Sequence, residues 1–291
     1  MKRRRWLELR AALLLSAILP LHGCKLDSLV FNPTAVSEYR FPSAAVPDSL
    51  RDVVSFPSGG EVLYAVRLRQ PGSAARLTVL LSHGKGGDIS RAREWARAVA
   101  IWQAGFDVYA YDYRGYGKST GKSTGETTLL QDGRAALAYV LAQPRVTAQS
   151  LVLYGHSLGG VPTTALAVGL SGLRGLVLES VFASGEAMAQ TATILDVPGD
   201  WLMAGTFDNV GKLPAIHAPI LILAGSNDVQ VPRGQTEQLF AHANEPKRME
   251  IVAGAVHDNI PATLGIAAYA ERLRALTELV RDGSLQCARV P

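Results

Sequence analysis

Short apolar runs recur along this chain at 77–82, 106–111, 151–154, 176–178, 220–223 and 249–252, with helix-competent stretches between them. Strands that are apolar on both faces need cover on each side, and intervening helices supply it. The alternation therefore predicts an α/β fold, with a mostly parallel central sheet between two helical layers. At 291 residues the chain has room for one large domain of this kind, or two small ones. Ahead of the alternation, 53–56 and 62–68 flank Ser58-Gly59-Gly60 and predict a β-hairpin. Trp95, Ala98, Val99 and Trp102 fall at i, i+3, i+4 and i+7, the spacing of an amphipathic helix. A helix over 127–141 sets Leu130, Leu137, Val140 and Leu141 on its apolar side, and a terminal helix over 262–281 does the same with Tyr269, Leu273, Leu276 and Val280. Segment 182–219 interrupts the pattern. It is rich in alanine and methionine, contains Trp201, and fits either a small cap over a site or a long helical crossover.

One strand-to-helix junction carries chemistry. The run 151–154 leads into Gly155-His156-Ser157-Leu158-Gly159, and a helix-competent stretch over 161–170 follows. This is G-x-S-x-G in the setting where it holds a serine on a sharp turn, clear of its neighbours. Glycines leave room for the turn, and the helix start behind it favours developing negative charge. A serine hydroxyl is a poor nucleophile at neutral pH and needs a base, itself oriented by an acid. Three histidines follow Ser157: His217, His242 and His257. Only His257 lies just past a predicted strand, in the loop edge where α/β sites gather. Asp228, in Gly225-Ser226-Asn227-Asp228, stands in the equivalent place after the strand at 220–223, with Glu179 at another strand end as its rival. Asp208, Asp258 and Asp112 fit less well; Asp112 precedes the serine and is expected to hold the loop 114–118. An oxyanion needs two backbone N–H donors. Leu158, after the serine, supplies one, and Lys85 in His83-Gly84-Lys85-Gly86-Gly87 the other.

Competing chemistries fail on spacing. The tandem Lys-Ser-Thr-Gly over 118–125 suggests a phosphate loop, but Asp112 and Tyr116 stand where its first glycine belongs, so it reads as a solvated loop. A dinucleotide G-x-G-x-x-G fails at Ile89 and at Thr120, and neither H-E-x-x-H nor a pair of C-x-x-C motifs occurs. The expected chemistry requires no cofactor and no metal.

Charge is confined to the N-terminus. Residues 1–23 hold Lys2, Arg3, Arg4, Arg5 and Arg10 against Glu8, a net of +4, and the remaining 24 basic and 24 acidic residues balance. Nothing in the body calls for nucleic acid. The nine-residue, largely apolar stretch 11–19 is too short to span a bilayer and suits a signal peptide over 1–23. Leu21-His22-Gly23-Cys24 resembles the bacterial lipobox, which implies lipidation at Cys24, a membrane anchor and a place in the cell envelope facing the extracytoplasmic side. An ordinary secretory signal or an uncleaved anchor are the alternatives. A lipidated Cys24 excludes a disulfide with Cys287, the other cysteine. Residues 24–50 contain Pro33, Pro42 and Pro47 and read as an extended approach to a domain over 51–291.

Ser157, Asp228 and His257 in that order, with the oxyanion loop before them, resemble the α/β-hydrolase superfamily over about residues 50–282. Tyr111-Asp112-Tyr113-Arg114-Gly115-Tyr116-Gly117-Lys118-Ser119, Phe207-Asp208-Asn209 and 225–232 resemble a branch with membrane-associated serine hydrolases and protein depalmitoylases. That branch commonly has asparagine where Lys85 stands. The resemblance implies an α/β-hydrolase fold and hydrolysis of small-molecule or lipid-like acyl esters or thioesters. Peptidases of the prolyl-oligopeptidase type share the catalytic domain, but 25 residues before the hairpin cannot build their propeller. A non-catalytic envelope scaffold would typically have lost a member of the triad.

Overall fold

The computed structural model describes residues 31–42, 44–72, 77–192 and 205–279. Cys24 with its leader, Trp201, Val280 and Cys287 lie outside the described residues. Eight strands form the main sheet: β2 (Arg51–Ser58), β3 (Glu61–Leu68), β4 (Thr78–Ser82), β6 (Asp107–Tyr111), β7 (Leu151–His156), β8 (Gly175–Glu179), β9 (Ile220–Gly225) and β10 (Lys247–Val252). Two short strands, β1 (Asn32–Pro33) and β5 (Gly86–Gly87), pair in parallel apart from it. The order in the main sheet is β10-β9-β8-β7-β4-β6-β3-β2. Strands from β10 to β6 pair in parallel, while β3 runs antiparallel to both β6 and β2. The β2–β3 turn rests on Gly59 and Gly60, both at positive φ (55° and 90°), as a two-residue hairpin loop requires.

Helices cover both faces: α1 (Ala92–Gln103), α2 (Glu126–Leu141), α3 (Gly160–Val168), α4 (Gly185–Ala192), α5 (Arg233–His242), α6 (Ile260–Leu264) and α7 (Ile266–Glu278). Strand alternation divides the core in two. Leu153, Leu178 and Ile222 pack with Leu129, Val161 and Leu239 of α2, α3 and α5. Their neighbours Val152, Val177 and Leu221 point the other way, onto Trp95 and Ile101 of α1 and Leu273 of α7. This is why β4, β7, β8 and β9 each read as a mainly apolar run: every residue in them is buried.

Several elements differ from expectation. The buried face of α2 is Leu129, Asp132, Gly133, Ala136 and Val140, with Leu130, Leu137 and Leu141 at its edges. Asp132 faces inward because it accepts bonds from the Arg114 amide (2.8 Å) and guanidinium (2.7 Å to Nη2) and from Ser58 Oγ (2.8 Å). Gly133 faces inward because a Cβ there would stand 2.8 Å from Pro162 Cβ of α3. The terminal helix is two helices, broken at Gly265, whose φ of 75° no right-handed helix accommodates. The repeat over 118–125 is not wholly solvated. Ser119 Oγ donates to the Asp112 carbonyl (2.9 Å) and Ser123 Oγ to that of Arg114 (2.8 Å), and both serines are buried. Asp112 meets the 114–118 loop through Tyr39: its carboxylate accepts the Tyr39 hydroxyl (2.6 Å), which accepts the Lys118 amide (3.4 Å), while it is Asp132 that holds Arg114.

Candidate active site

Three strand ends in the parallel half of the sheet bring the predicted site together. β7 ends at His156, and Ser157 opens a tight 3-10 turn that runs into α3. Ser157 has φ of 52°, in the left-handed region, so the strain of the turn falls on the serine itself. The neighbouring glycines have ordinary φ; they are required by space. A Cβ on Gly155 would stand 2.8 Å from the Gly159 carbonyl, one on Gly159 would collide with the Ser82 carbonyl, and one on Gly160 would collide with Val181. The turn after β7 is therefore pressed backbone-to-backbone against the end of β4.

His257 lies between β10 and α6, and Asp228 follows β9. His257 Nε2 is 2.9 Å from Ser157 Oγ, and His257 Nδ1 is 2.8 Å from Asp228 Oδ2. An Nδ1–H donated to the carboxylate leaves Nε2 with its lone pair facing the hydroxyl, the tautomer in which the serine O–H donates to the ring. The second carboxylate oxygen, Oδ1, accepts the amides of Gln230 and Val231, each at 2.9 Å. Burial would raise the Asp228 carboxyl, but the His257 bond and these two amides outweigh it and hold it below the usual carboxylate range. The acid and base loops are also tied to each other. The Asn227 amide donates to the Ala255 carbonyl (2.9 Å), an approach that the missing side chain of Gly225 permits.

Lys85 lies in the loop between β4 and β5. Its carbonyl accepts the Tyr116 hydroxyl (2.9 Å) and the Asn32 amide (3.1 Å), while its side chain belongs to an exposed residue. The Gly84 carbonyl is 2.7 Å from His83 Nδ1. The Gly84–Lys85 peptide is thereby held from its carbonyl side, with the Lys85 N–H pointing the opposite way, as a trans peptide requires. Leu158 is buried at the start of the turn, where amides lack intrahelical acceptors. Nothing local in the sequence marks Asn32 or Tyr116 as a partner of the Lys85 carbonyl, because the two lie 84 positions apart.

The rival residues have other partners. Glu179 accepts Arg97 (2.8 Å to Nη2) and the Tyr154 hydroxyl. Asp258 pairs with Arg93, and Asp208 Oδ1 accepts the Gly211 amide (2.8 Å). His217 and His242 are exposed, and His242 Nδ1 is 2.9 Å from the Gln238 carbonyl of its own helix. His156, His257 and Asp258 offer three potential metal ligand atoms within 4.8 Å of one another. Both ring nitrogens of His257 already face Ser157 and Asp228, so within that cluster the His257 imidazole is already engaged.

A mostly parallel sheet with a serine on the turn after its central strand, and an acid and a histidine on later strand ends, defines the α/β-hydrolase class. Residues 73–197 match the hydrolase family described as serine aminopeptidase, S33. An uncharacterized protein of Mycobacterium tuberculosis is 33% identical over 254 residues, spanning 85% of this chain and 86% of that protein. Human alpha/beta hydrolase domain-containing protein 17B is 28% identical over 200 residues, 69% of this chain and 66% of its own. Among solved structures, an esterase from Pyrococcus furiosus superposes with a TM-score of 0.68 at 15% identity, covering 86% of this chain and 97% of the esterase. Est1E from Butyrivibrio proteoclasticus, solved with ferulic acid bound, gives 0.65 at 18% identity over 78% of this chain and 99% of its own. The chain belongs to the α/β-hydrolase superfamily and has the fold that the sequence suggested.

Proposed function

We propose that the protein is a serine hydrolase of carboxylic esters or thioesters, with Ser157 as nucleophile, His257 as general base and Asp228 as its orienting acid. The observation that carries this reading is the continuous relay from Ser157 Oγ to His257 Nε2 (2.9 Å) and from His257 Nδ1 to Asp228 Oδ2 (2.8 Å). Ser157 Oγ attacks the acyl carbonyl carbon as its proton passes to His257 Nε2. The tetrahedral oxyanion is received by the amides of Lys85 and Leu158. Collapse breaks the bond to the alcohol or thiol, which leaves with the proton from His257, and Ser157 keeps the acyl group. Water, deprotonated by His257, then attacks the acyl-enzyme; the acid leaves as His257 returns the proton to Ser157 Oγ, while Asp228 stays ionised throughout and stabilises the imidazolium.

Ester chemistry is supported by the esterases among the structural neighbours, and thioester chemistry by the branch-like segments at 111–119 and 225–232. The family description, a serine aminopeptidase, favours a second reading in which the same triad cleaves peptides. A substrate panel separates them: p-nitrophenyl esters, acyl thioesters and aminoacyl p-nitroanilides, each with the wild type and Ser157→Ala. We expect ester or thioester turnover and a loss of about 10⁴-fold or more in the variant. Ser157→Ala hydrolysing at the wild-type rate sinks the triad, and anilides turned over faster than esters select the peptidase. The lipobox-like 21–24 supports a lipid anchor at Cys24 and an envelope location, where the substrate is met at a membrane.

A further inference from the structure

We propose that Ser180, together with His156 and Arg97, is a positioning residue for the base: the three clamp the main chain at residues 257–258 and so aim the His257 ring at Ser157. The inference rests on the assignment of His257 as general base. Asp228 holds one atom of that ring, which sets the tautomer but not the place of the loop that carries it. The loop is held from beneath. The His257 carbonyl accepts the Ser180 hydroxyl at 2.9 Å and lies 3.3 Å from His156 Nε2. The next carbonyl, that of Asp258, accepts Arg97 Nη2 at 3.3 Å. These three donors come from the end of β8, the end of β7 and the buried face of α1. His156 immediately precedes the nucleophile, so its side chain links the end of the nucleophile's strand to the backbone of the base.

None of the three has freedom to wander. Arg97 is fully buried, between Glu94 and Glu179 at 2.8 Å each. His156 Nδ1 faces Glu94 Oε1 at 3.3 Å. Ser180 is buried, and its amide donates to the Leu223 carbonyl of β9 (2.8 Å). Its φ is 51°, a left-handed conformation that a residue with a Cβ rarely adopts. Glycine would occupy that φ without strain. What serine adds is the hydroxyl, and the hydroxyl is spent on the His257 carbonyl. The residue thus tolerates a strained backbone to supply one donor to the base loop, and strain retained in this way marks positions where geometry matters.

Ser180→Gly and Ser180→Ala in the full chain test this. A purely structural role predicts that glycine, relieved of strain, keeps both stability and turnover. The clamp predicts that Ser180→Gly keeps or raises Tm while kcat for p-nitrophenyl acetate falls about tenfold and KM stays within about twofold, the cost of a misplaced base. The low-field proton resonance of the His257–Asp228 hydrogen bond should broaden or move in both variants. Should Ser180→Ala fail to fold, Ser180→Gly decides. Wild-type kcat and an unmoved resonance in Ser180→Gly overturn the clamp, whatever Ser157→Ala shows. A wild type that hydrolyses no ester overturns the esterase reading, and the resonance then decides the clamp alone.

Discussion

At the scale of single residues, the candidate site is built from side chains whose hydrogen-bonding capacity is almost fully used. Asp228 accepts from one imidazole and two backbone amides, so its negative charge is stabilised by donors that do not move. The pH consequence follows from the direction of its shift. A carboxyl held below its unfolded value of about 3.9 contributes stability that is complete above that pH and is lost as pH falls through the lower, folded value. Asp228→Asn should therefore flatten the dependence of Tm on pH below about 4, relative to wild type. At neutral pH the same change should lower kcat by about 10³–10⁴-fold, because an amide in place of the carboxylate favours the wrong imidazole tautomer. Thermal melts from pH 3 to 7, with ester kinetics at pH 7, check both; equal acid slopes would remove Asp228 as a linked group. Residue-scale logic was the most legible in the sequence. Ser157, Asp228 and His257 each sit just past an apolar run, and that position alone brings them to one edge of the sheet. Ser180 and His156 were not legible as contacts of His257, because a serine at a strand end has no local mark of what its hydroxyl will meet.

At the scale of elements, the turn after β7 and the end of β4 are pressed together through Gly159, where a side chain would collide with the Ser82 carbonyl and stand 2.8 Å from that of His83. Neither obstacle is a flexible side chain, so the backbone itself must give. Gly159→Ala should cost about 1–3 kcal/mol of stability, the range for overpacking. It should also cost on the order of 100-fold in kcat, since the nucleophile and the loop bearing Lys85 are forced apart. Urea denaturation and ester kinetics measure the two effects; a variant with wild-type values in both would show that the two loops are not rigidly opposed. Element positions were legible wherever burial was uniform, as in β4, β7, β8 and β9. They were less so where a polar residue turned inward. The inner face of α2 is organised by Asp132 and Gly133, and the apolar spacing of Leu130, Leu137 and Leu141 pointed to its flank, because the Arg114 partner lies 18 residues away. The stop at Gly265 was missed for another reason: an isolated glycine within a helical pattern does not announce a positive φ.

At the scale of the whole molecule, the N-terminal segment is more than an approach to the domain. β1 pairs with β5, Tyr39 reaches Asp112, and the Phe41 ring lies 4.4 Å from that of Trp95. Asn32 ends against the carbonyl of Lys85, which places the entry of the chain beside the candidate oxyanion loop. Cys24 precedes Asn32 by eight residues, a span of at most about 28 Å. A lipid on Cys24 would hold this side of the molecule close to a bilayer, and Cys24→Ala should then move the protein from the membrane fraction to the soluble fraction of the producing cell. Intact mass spectrometry of the mature N-terminus provides the direct check: a terminus anywhere other than an acylated Cys24 ends the lipoprotein reading.

By itself the sequence determined the alternation that makes a parallel sheet, the G-x-S-x-G turn at Ser157, and the order in which an acid and a histidine follow it. These are local properties, carried by runs of apolar residues and by glycines beside a serine, and local physics makes them legible. Only the tertiary structure decided which donors hold the backbone of His257, that Asp132 rather than Asp112 secures Arg114, and that Asn32 and Pro33 lie against the loop carrying Lys85. Those contacts join residues 18 to 101 positions apart. Their geometry comes from how helices and strands pack, which no short stretch of chain encodes.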